Sequence, residues 1–173
     1  MKSKTLSKGK NLSLHRVTVK LPSGKLFEDD IVKRPNEVTA IPQISKDEIL
    51  LTKQFRRGVG EILLELPTGK IKRGESALTA AQRELEEETK YKAEKLEKLA
   101  ETLVAPSWSA LKRTFFLAKR LTISTHPKPY DPDENIEVVR LTFKEALAKA
   151  ASGEIKDTKT ILGILLSKEL STV

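Results

Sequence analysis

The order of strand-like and helix-like segments constrains the fold of this chain more than any other feature. Short runs rich in β-branched and aliphatic residues fill most of the first two thirds, and helical signals interrupt and follow them. The predicted strands are 15–21, 25–34, 37–44, 48–55, 98–105, 112–121 and 136–143, and the predicted helices are 76–90, 142–153 and 157–170. This order predicts an α/β protein in which helices cover a mixed sheet, rather than a helical bundle or a β-barrel.

Composition limits the classes of protein that need to be considered. The 173 residues suit one domain with a small appendage, and the absence of cysteine excludes disulfides and thiolate metal sites. No apolar run is long enough to span a bilayer and the first twenty residues lack a secretory signal, so a cytoplasmic protein with no membrane partner is expected. The high charged fraction, 32%, and the scarcity of Asn, Gln and Met are typical of heat-adapted proteins.

The net charge of +8 raises the question of a nucleic-acid partner. The basic residues are dispersed along the chain, and aromatic residues make up only 5%, without the alternation of aromatic and basic residues typical of single-strand binders. A lysine-rich surface explains the charge better, so nucleic acid is not the expected partner.

Within this basic chain, the helix predicted over 76–90 concentrates negative charge at its end. On a helical wheel Glu87 and Glu88 fall on the same side as Glu84, whereas Glu86 points the opposite way. The first turns of the Glu84 face carry small apolar residues, Ala77, Ala80 and Ala81. Three carboxylates are therefore expected at the edge of a packed helix–sheet interface, and Glu86 is expected to be dispensable for what they bind.

Such a cluster is unfavourable unless something neutralises it, because like charges repel and the helix C-terminus adds its own negative charge. Arg83 can pair with Glu87 one turn away, which leaves Glu84 and Glu88 without a cation. Mg²⁺ binds through carboxylates, waters and phosphates and would supply the missing charge. The alternative is an exposed helix end balanced by nearby lysines.

The segment from Gly69 to Tyr91 resembles the signature of a known hydrolase family, the Nudix box. The box consists of Gly, five residues, Glu, seven residues, Arg-Glu, an aliphatic residue, any residue, Glu-Glu, any residue, and Gly. Its matching positions here are Gly69, Glu75, Arg83, Glu84, Leu85, Glu87 and Glu88. The departure is Lys90, which stands where the family has glycine.

The resemblance implies an α/β/α sandwich that hydrolyses a nucleoside diphosphate linked to another group, with Mg²⁺ or Mn²⁺ as cofactor. Glu84 and Glu88 would be metal ligands, and Glu87 a ligand or the base that orients water. Arg83 would hold a neighbouring glutamate in place, and the carbonyl of Thr68 would complete the coordination. The two histidines have no evident place in this chemistry.

The flanking sequence resembles the ADP-ribose pyrophosphatase branch of the family. The segment "KQFRRGVGEILLELPTGK" follows the branch's order of a "QYR" motif, a short link and "ELPAG". By that resemblance Arg56, and Arg57 beside it, would contact the diphosphate or the adenine side of the substrate. Glu65 would assist at the site, whereas Gln54 could equally be structural.

Two later segments extend the resemblance. In "DPDENIEVV" the acid that corresponds to the branch's additional metal ligand or general base is Glu134, with Asp133 as its closest competitor. In "APSWSAL" Trp108 suits a wall for a base or ribose, or an ordinary core position. Ser107 and Leu111 replace the glycine and glutamate of the branch, and Asp29 replaces an arginine, so other ADP-sugars, dinucleotides and nucleoside triphosphates stay open as substrates.

The resemblance also implies a division of the chain and a homodimer. Residues 1–40 would form a basic tail and an antiparallel β arm that packs across subunits, and 41–173 the Nudix hydrolase domain. The competing hypothesis is a Nudix-like module that binds a nucleotide or RNA without turnover. Such modules should lose box glutamates, and this chain keeps those expected to hold metal.

Overall fold

The computed structural model describes residues 2–125 and 135–170, which form ten strands and three helices. The strands are β1 (Lys2–Lys8), β2 (Ser13–Lys20), β3 (Leu26–Lys33), β4 (Glu37–Pro42), β5 (Glu48–Arg56), β6 (Glu61–Glu65), β7 (Thr68–Lys70), β8 (Tyr91–Leu103), β9 (Lys112–Ile123) and β10 (Ile136–Thr142). The helices are α1 (Ala77–Thr89), α2 (Phe143–Ala151) and α3 (Thr158–Leu170).

The N-terminal arm is an antiparallel sheet of its own, in the order β1-β2-β3. A turn that contains Gly24, at φ 86°, joins β2 to β3. The first residues are not a tail, because β1 pairs with β2 from Lys2 opposite Thr18 to Lys8 opposite Ser13. The division of the chain at residue 40 stays a prediction; β4 runs through that position.

Two further sheets build the body of the protein. A mixed sheet has the order β7-β4-β9-β8, in which β4 and β9 are parallel and the other pairs antiparallel. An antiparallel sheet has the order β10-β5-β6. The mixed sheet predicted from the segment order is confirmed.

Alternation along β4 explains how helices cover both sides of the mixed sheet. Val38 and Ala40 pack against α1, whereas Ile41 joins a core cluster with Leu51 of β5 and Ile164 of α3. Successive strand residues point to opposite faces, so one strand serves both layers. This layering confirms the α/β/α sandwich.

The sequence did not predict β1, β6 or β7, and it placed the start of β8 too late. Strand β7 has three residues and lacks a hydrophobic alternation, and β8 is interrupted by charged residues that lie exposed. Short or largely exposed strands carry little periodicity, which is the signal on which the prediction rests. Within the described ranges, no helix has the length and apolar character needed to cross a membrane.

Candidate active site

Helix α1 is fixed on the mixed sheet by its small apolar face. Its N-cap is Ser76, whose side chain accepts a hydrogen bond from the Thr79 amide. Ala80 and Ala81 are fully buried against Val38, and small side chains let the helix backbone approach the sheet closely. This close packing fixes the position of the last two turns of α1 beside β7.

Arg83 joins the glutamates of the loop and the helix. It is 9% exposed, and its Nε and Nη2 donate to the two carboxylate oxygens of Glu75 at 2.8 and 2.9 Å. Its Nη1 donates to Glu84 at 2.6 Å and to Glu87 at 2.9 Å, and Nη2 also reaches the Lys70 carbonyl at 2.9 Å. One guanidinium thus holds three carboxylates and the backbone of β7.

These contacts confirm one sequence expectation and correct another. Arg83 does pair with Glu87, but Glu84 is not without a cation, because the planar guanidinium reaches both. The hydrogen bond from Arg83 holds the pKa of Glu75 at about 2, against the effect of burial. Burial raises the pKa of Glu84 even though Arg83 contacts it. The roles proposed for Arg83, Glu84 and Glu87 in catalysis stay predictions.

Gly69 gives the Glu84 carboxylate its place. A Cβ at residue 69 would lie 1.8 Å from Cδ of Glu84 and 1.9 Å from its Oε1. No side chain fits there without moving the carboxylate. The first glycine of the box is therefore a space requirement for Glu84, and the carboxylate lies directly over the backbone of β7.

Glu88 lies against the residue that precedes Gly69. Its side chain is buried, and its Oε1 accepts a long hydrogen bond, 3.4 Å, from the Thr68 amide. The Thr68 hydroxyl donates to the Leu66 carbonyl at 2.9 Å, which fixes this turn of the chain. The structure thus brings Glu88 and Thr68 together, and coordination by the Thr68 carbonyl stays a prediction.

The chemistry of this cluster fits a hard divalent cation. Glu84, Glu87, Glu88 and the backbone of Thr68 offer only oxygen donors, as Mg²⁺ and Mn²⁺ prefer. In the part of the chain that the structure describes, no group of three acidic or histidine side chains is already arranged to hold a metal ion. Arg83 instead holds two of these carboxylates from one side, which limits the repulsion between them.

Glu86 lies on the opposite side of the helix, as the wheel predicted, but it is not a solvent-exposed residue without a structural role. It is 9% exposed, and its Oε1 accepts a 2.6 Å hydrogen bond from the Ser124 hydroxyl. Lys92 Nζ lies 3.5 Å from the same oxygen. Glu86 therefore ties α1 to the end of β9, and its dispensability for metal binding stays a prediction.

The helix ends where the family's glycine would stand. Lys90 is left-handed, at φ 66° and ψ 16°, and its amide donates to the Glu86 carbonyl at 3.0 Å. Its Nζ donates to the Glu87 carbonyl at 2.7 Å. The left-handed turn at the glycine position of the box is therefore retained, and Lys90 adopts it with the strain that a non-glycine residue has in this conformation.

Arg56 and Glu65 form one unit at the ends of β5 and β6. The guanidinium of Arg56 donates to both oxygens of Glu65 at 2.8 and 2.6 Å, and the Arg56 side chain stays 36% exposed. Burial opposes the charge of Glu65, but Arg56 and Lys159 outweigh it and lower the pKa of Glu65. Sequence reasoning missed Lys159, whose only signal was its position in the first turn of α3.

Gln54, left open between site and structure, lies two residues before Arg56 on the same face of β5. It is 4% exposed, and its Oε1 has no hydrogen-bond partner among the described residues. Arg57 follows β5 and is exposed. Glu134 and Asp133 lie outside the described residues, so their roles stay predictions.

Trp108 is not a core residue. Its side chain is 50% exposed, on the loop between β8 and β9, and its carbonyl accepts a 2.9 Å hydrogen bond from Val32 of the arm. Beside this loop lies a cavity of about 400 Å³, lined by Val17, Ile31, Pro106 and other mostly apolar residues. The arm thus supports the loop on which a wall for a base or ribose was predicted.

Comparison with known proteins shows which family this chain resembles. The NUDIX domain model matches residues 33–160. The chain is 35% identical to the ADP-ribose pyrophosphatase of Bacillus subtilis (strain 168), over 95% of this chain and 91% of that protein. It is 30% identical to the methanol dehydrogenase activator of Bacillus methanolicus, over 95% and 89%.

A solved structure titled "Crystal structure of ADP compounds hydrolase" shares the fold. It superposes with a TM-score of 0.86 over 99% of this chain and 92% of that one, at 22% identity. The family model covers most of the chain, and the Bacillus subtilis relative matches it nearly end to end. Together with the glutamates held between Arg83 and β7, these matches show that the chain belongs to the Nudix family of hydrolases.

Proposed function

We propose that this protein hydrolyses the pyrophosphate bond of ADP-ribose, giving AMP and ribose 5-phosphate, with Mg²⁺ or Mn²⁺ bound at α1. The observation that carries the proposal is the arrangement of Glu84 over Gly69, Glu88 against Thr68, and Glu87 on Arg83. The resemblance to ADP-ribose pyrophosphatases before and after the box supports the choice of substrate.

In this proposal Glu84, Glu87, Glu88 and the Thr68 carbonyl hold the cation. When bound, the cation would neutralise charge on the pyrophosphate and lower the pKa of a bound water. Arg83 keeps Glu84 and Glu87 at fixed positions through Nη1. Water oxygen forms a bond to one phosphorus, the bridging oxygen leaves with the electron pair, and a carboxylate, Glu87 or Glu134, takes the proton.

The same proposal assigns substrate contacts to the surroundings of α1. Arg56 is pre-oriented by Glu65 and still partly exposed, so its guanidinium is available to the diphosphate. Arg57 would assist it. Trp108 and the neighbouring cavity would receive the adenine or ribose.

The test is a substrate panel with a matched pair of variants. ADP-ribose, other ADP-sugars, diadenosine polyphosphates and nucleoside triphosphates are assayed with Mg²⁺, with Mn²⁺ and with EDTA. Glu87→Gln should lose about 10²- to 10³-fold in kcat, whereas its neighbour Glu86→Gln should keep the wild-type requirement for metal. Equal inactivity of wild type and Glu87→Gln across the panel would instead favour a non-catalytic binding module.

We also propose a homodimer in which the arm packs across subunits. Every residue of β1 is exposed, and the arm carries exposed apolar side chains at Leu26 and Phe27. Light scattering at micromolar concentration should give twice the mass of the chain, and a monomer would remove the basis for a shared site. The cytoplasmic location and adaptation to heat stay predictions.

A further inference from the structure

A buried ion network joins the first turn of α3 to the strands that carry Arg56 and Glu65. Lys159 is 7% exposed, and its Nζ lies 2.6 Å from Oε2 of Glu65 and 2.8 Å from Oδ1 of Asp157. Glu65 itself is 1% exposed, and the same Oε2 accepts from Arg56. A carboxylate buried this deeply is tolerated only when cations and hydrogen bonds compensate it, and here two cations share it.

The network also fixes the backbone that leads to the box. Asp157 Oδ2 accepts from the Thr160 amide at 2.9 Å, and the Thr160 hydroxyl accepts from the Leu66 amide at 2.9 Å. Farther along α3, a Cβ at Gly163 would lie 2.4 Å from Cδ1 of Leu66, so the helix packs closely on that residue. The start of α3 therefore holds both the side chain of Glu65 and the main chain two residues before Thr68.

The second consequence of Lys159 concerns the charge balance around Arg56. Arg56 donates two hydrogen bonds to Glu65 and lies within electrostatic range of Glu88 and Asp157 as well. Without Lys159, Arg56 would be the one cation among the described residues that pairs with Glu65, and an incoming anion would meet a guanidinium already neutralised. With Lys159 on Glu65 and Asp157, the positive charge of Arg56 is left for a ligand.

We infer that Lys159 is a positioning residue for anion binding: it holds Glu65, and through Glu65 it orients Arg56 and preserves its charge for the substrate's diphosphate. This inference rests on the proposed function, because that function gives Arg56 its ligand. Lys159 need not touch the substrate.

The experiment compares two lysines that tie the same region to the same strand. Lys159→Met removes the buried pair with Glu65, and the control Lys156→Met removes an exposed pair with Glu61, at the other end of β6. Lys159→Arg is the conservative rescue. Titration calorimetry with ADP in the presence of Mg²⁺ gives the Kd, ADP-ribose hydrolysis gives KM and kcat, and thermal unfolding monitors the fold.

Lys159→Met should raise the Kd for ADP and the KM about tenfold, with kcat within threefold of wild type. Lys159→Arg and Lys156→Met should stay within twofold. A purely structural role would lower the fraction of the protein that is able to bind ADP, and kcat with it, while Kd and KM stay unchanged. That result would overturn the inference. Equal effects of Lys159→Met and Lys156→Met, or no effect of either, would overturn it too.

Two outcomes separate this inference from the proposed function. A wild type that binds ADP but hydrolyses none of the panel refutes the proposed function, while the Kd values still decide the role of Lys159. A wild type that does not bind ADP overturns the inference, since Arg56 then has no anion to receive. If Lys159→Met does not fold, Lys159→Gln, which keeps a hydrogen-bond donor, is judged by the same criteria.

Discussion

Replacing Gly69 by alanine should separate the position of Glu84 from the stability of the fold. The new Cβ would lie 1.8 Å from Cδ of Glu84, and non-bonded carbon atoms need about 3.5 Å, so the carboxylate has to retreat by about 1.7 Å. The atoms that clash are the end of a flexible side chain, so the fold can yield locally. The retreat, however, breaks the 2.6 Å contact with Arg83 Nη1.

We expect a large loss of activity and a small change in stability. A misplacement of about 1 Å can cost about 10²-fold, so kcat/KM for ADP-ribose should fall by at least about 10²-fold, or about 2.7 kcal/mol. The Mg²⁺ concentration for half-maximal activity should rise with it. The free energy of unfolding should change by about 1 kcal/mol or less, because alanine suits a strand better than glycine while one hydrogen bond is lost.

The control is Gly58→Ala in the turn after β5, where a Cβ would meet nothing within 4 Å. This variant should keep wild-type kinetics. In a Glu84→Gln background the effect of Gly69→Ala should shrink strongly, because both changes act through one carboxylate. Activity of Gly69→Ala within threefold of wild type, at an unchanged Mg²⁺ requirement, would refute the reasoning.

Three further predictions concern residues around the box and the surface. Glu86→Gln should lower the free energy of unfolding by about 1 kcal/mol, because it weakens the charged hydrogen bond from Ser124. A shifted Mg²⁺ requirement of this variant in kinetic assays would contradict the prediction that Glu86 lies apart from the metal-binding face of α1. Lys90→Gly should raise the free energy of unfolding by about 0.5 to 1 kcal/mol, since it relieves the strain at φ 66°; an unchanged denaturant midpoint would mean that the lysine's own contacts offset that strain. A hydrogen bond from Lys119 holds the pKa of Glu97 at about 2. The charged Glu97 carboxylate therefore contributes stability above its unfolded pKa of about 4.3, and this contribution is lost as the pH falls towards 2. Lys119→Met should raise that pKa in an NMR titration, and an unmoved value would reject the assignment.

The strongly periodic segments were predictable, and the weakly periodic ones were not. The helix predicted over 76–90 is α1, which begins one residue after Ser76 and ends one before Lys90. Strand β7 has three residues and gains its identity only by pairing with β4, Val38 opposite Gly69. Pairing partners lie far apart in sequence, so no local pattern reveals such a strand.

At the candidate site, spacing identified the carboxylates but not their partners. The division of Glu84, Glu87 and Glu88 from Glu86 follows from the helical period alone. The contacts of Arg83 with Glu75 and Lys70 depend on how the loop folds back over β7. The expectation that Glu84 lacks a cation failed for this reason, since helix geometry alone ignores the reach of a planar guanidinium.

The sequence by itself therefore determined the acidic face of α1 and a mixed sheet covered by helices, because these follow from short-range periods. The fixed spacing of the Nudix signature determined the resemblance that implied the α/β/α sandwich. Only the tertiary structure decided that Gly69 makes room for Glu84, that Trp108 is exposed, and that Lys159 reaches Glu65 from 94 residues away. Such contacts arise when strands and helices distant in the chain pack together, and burial then sets the charge balance that each buried group requires.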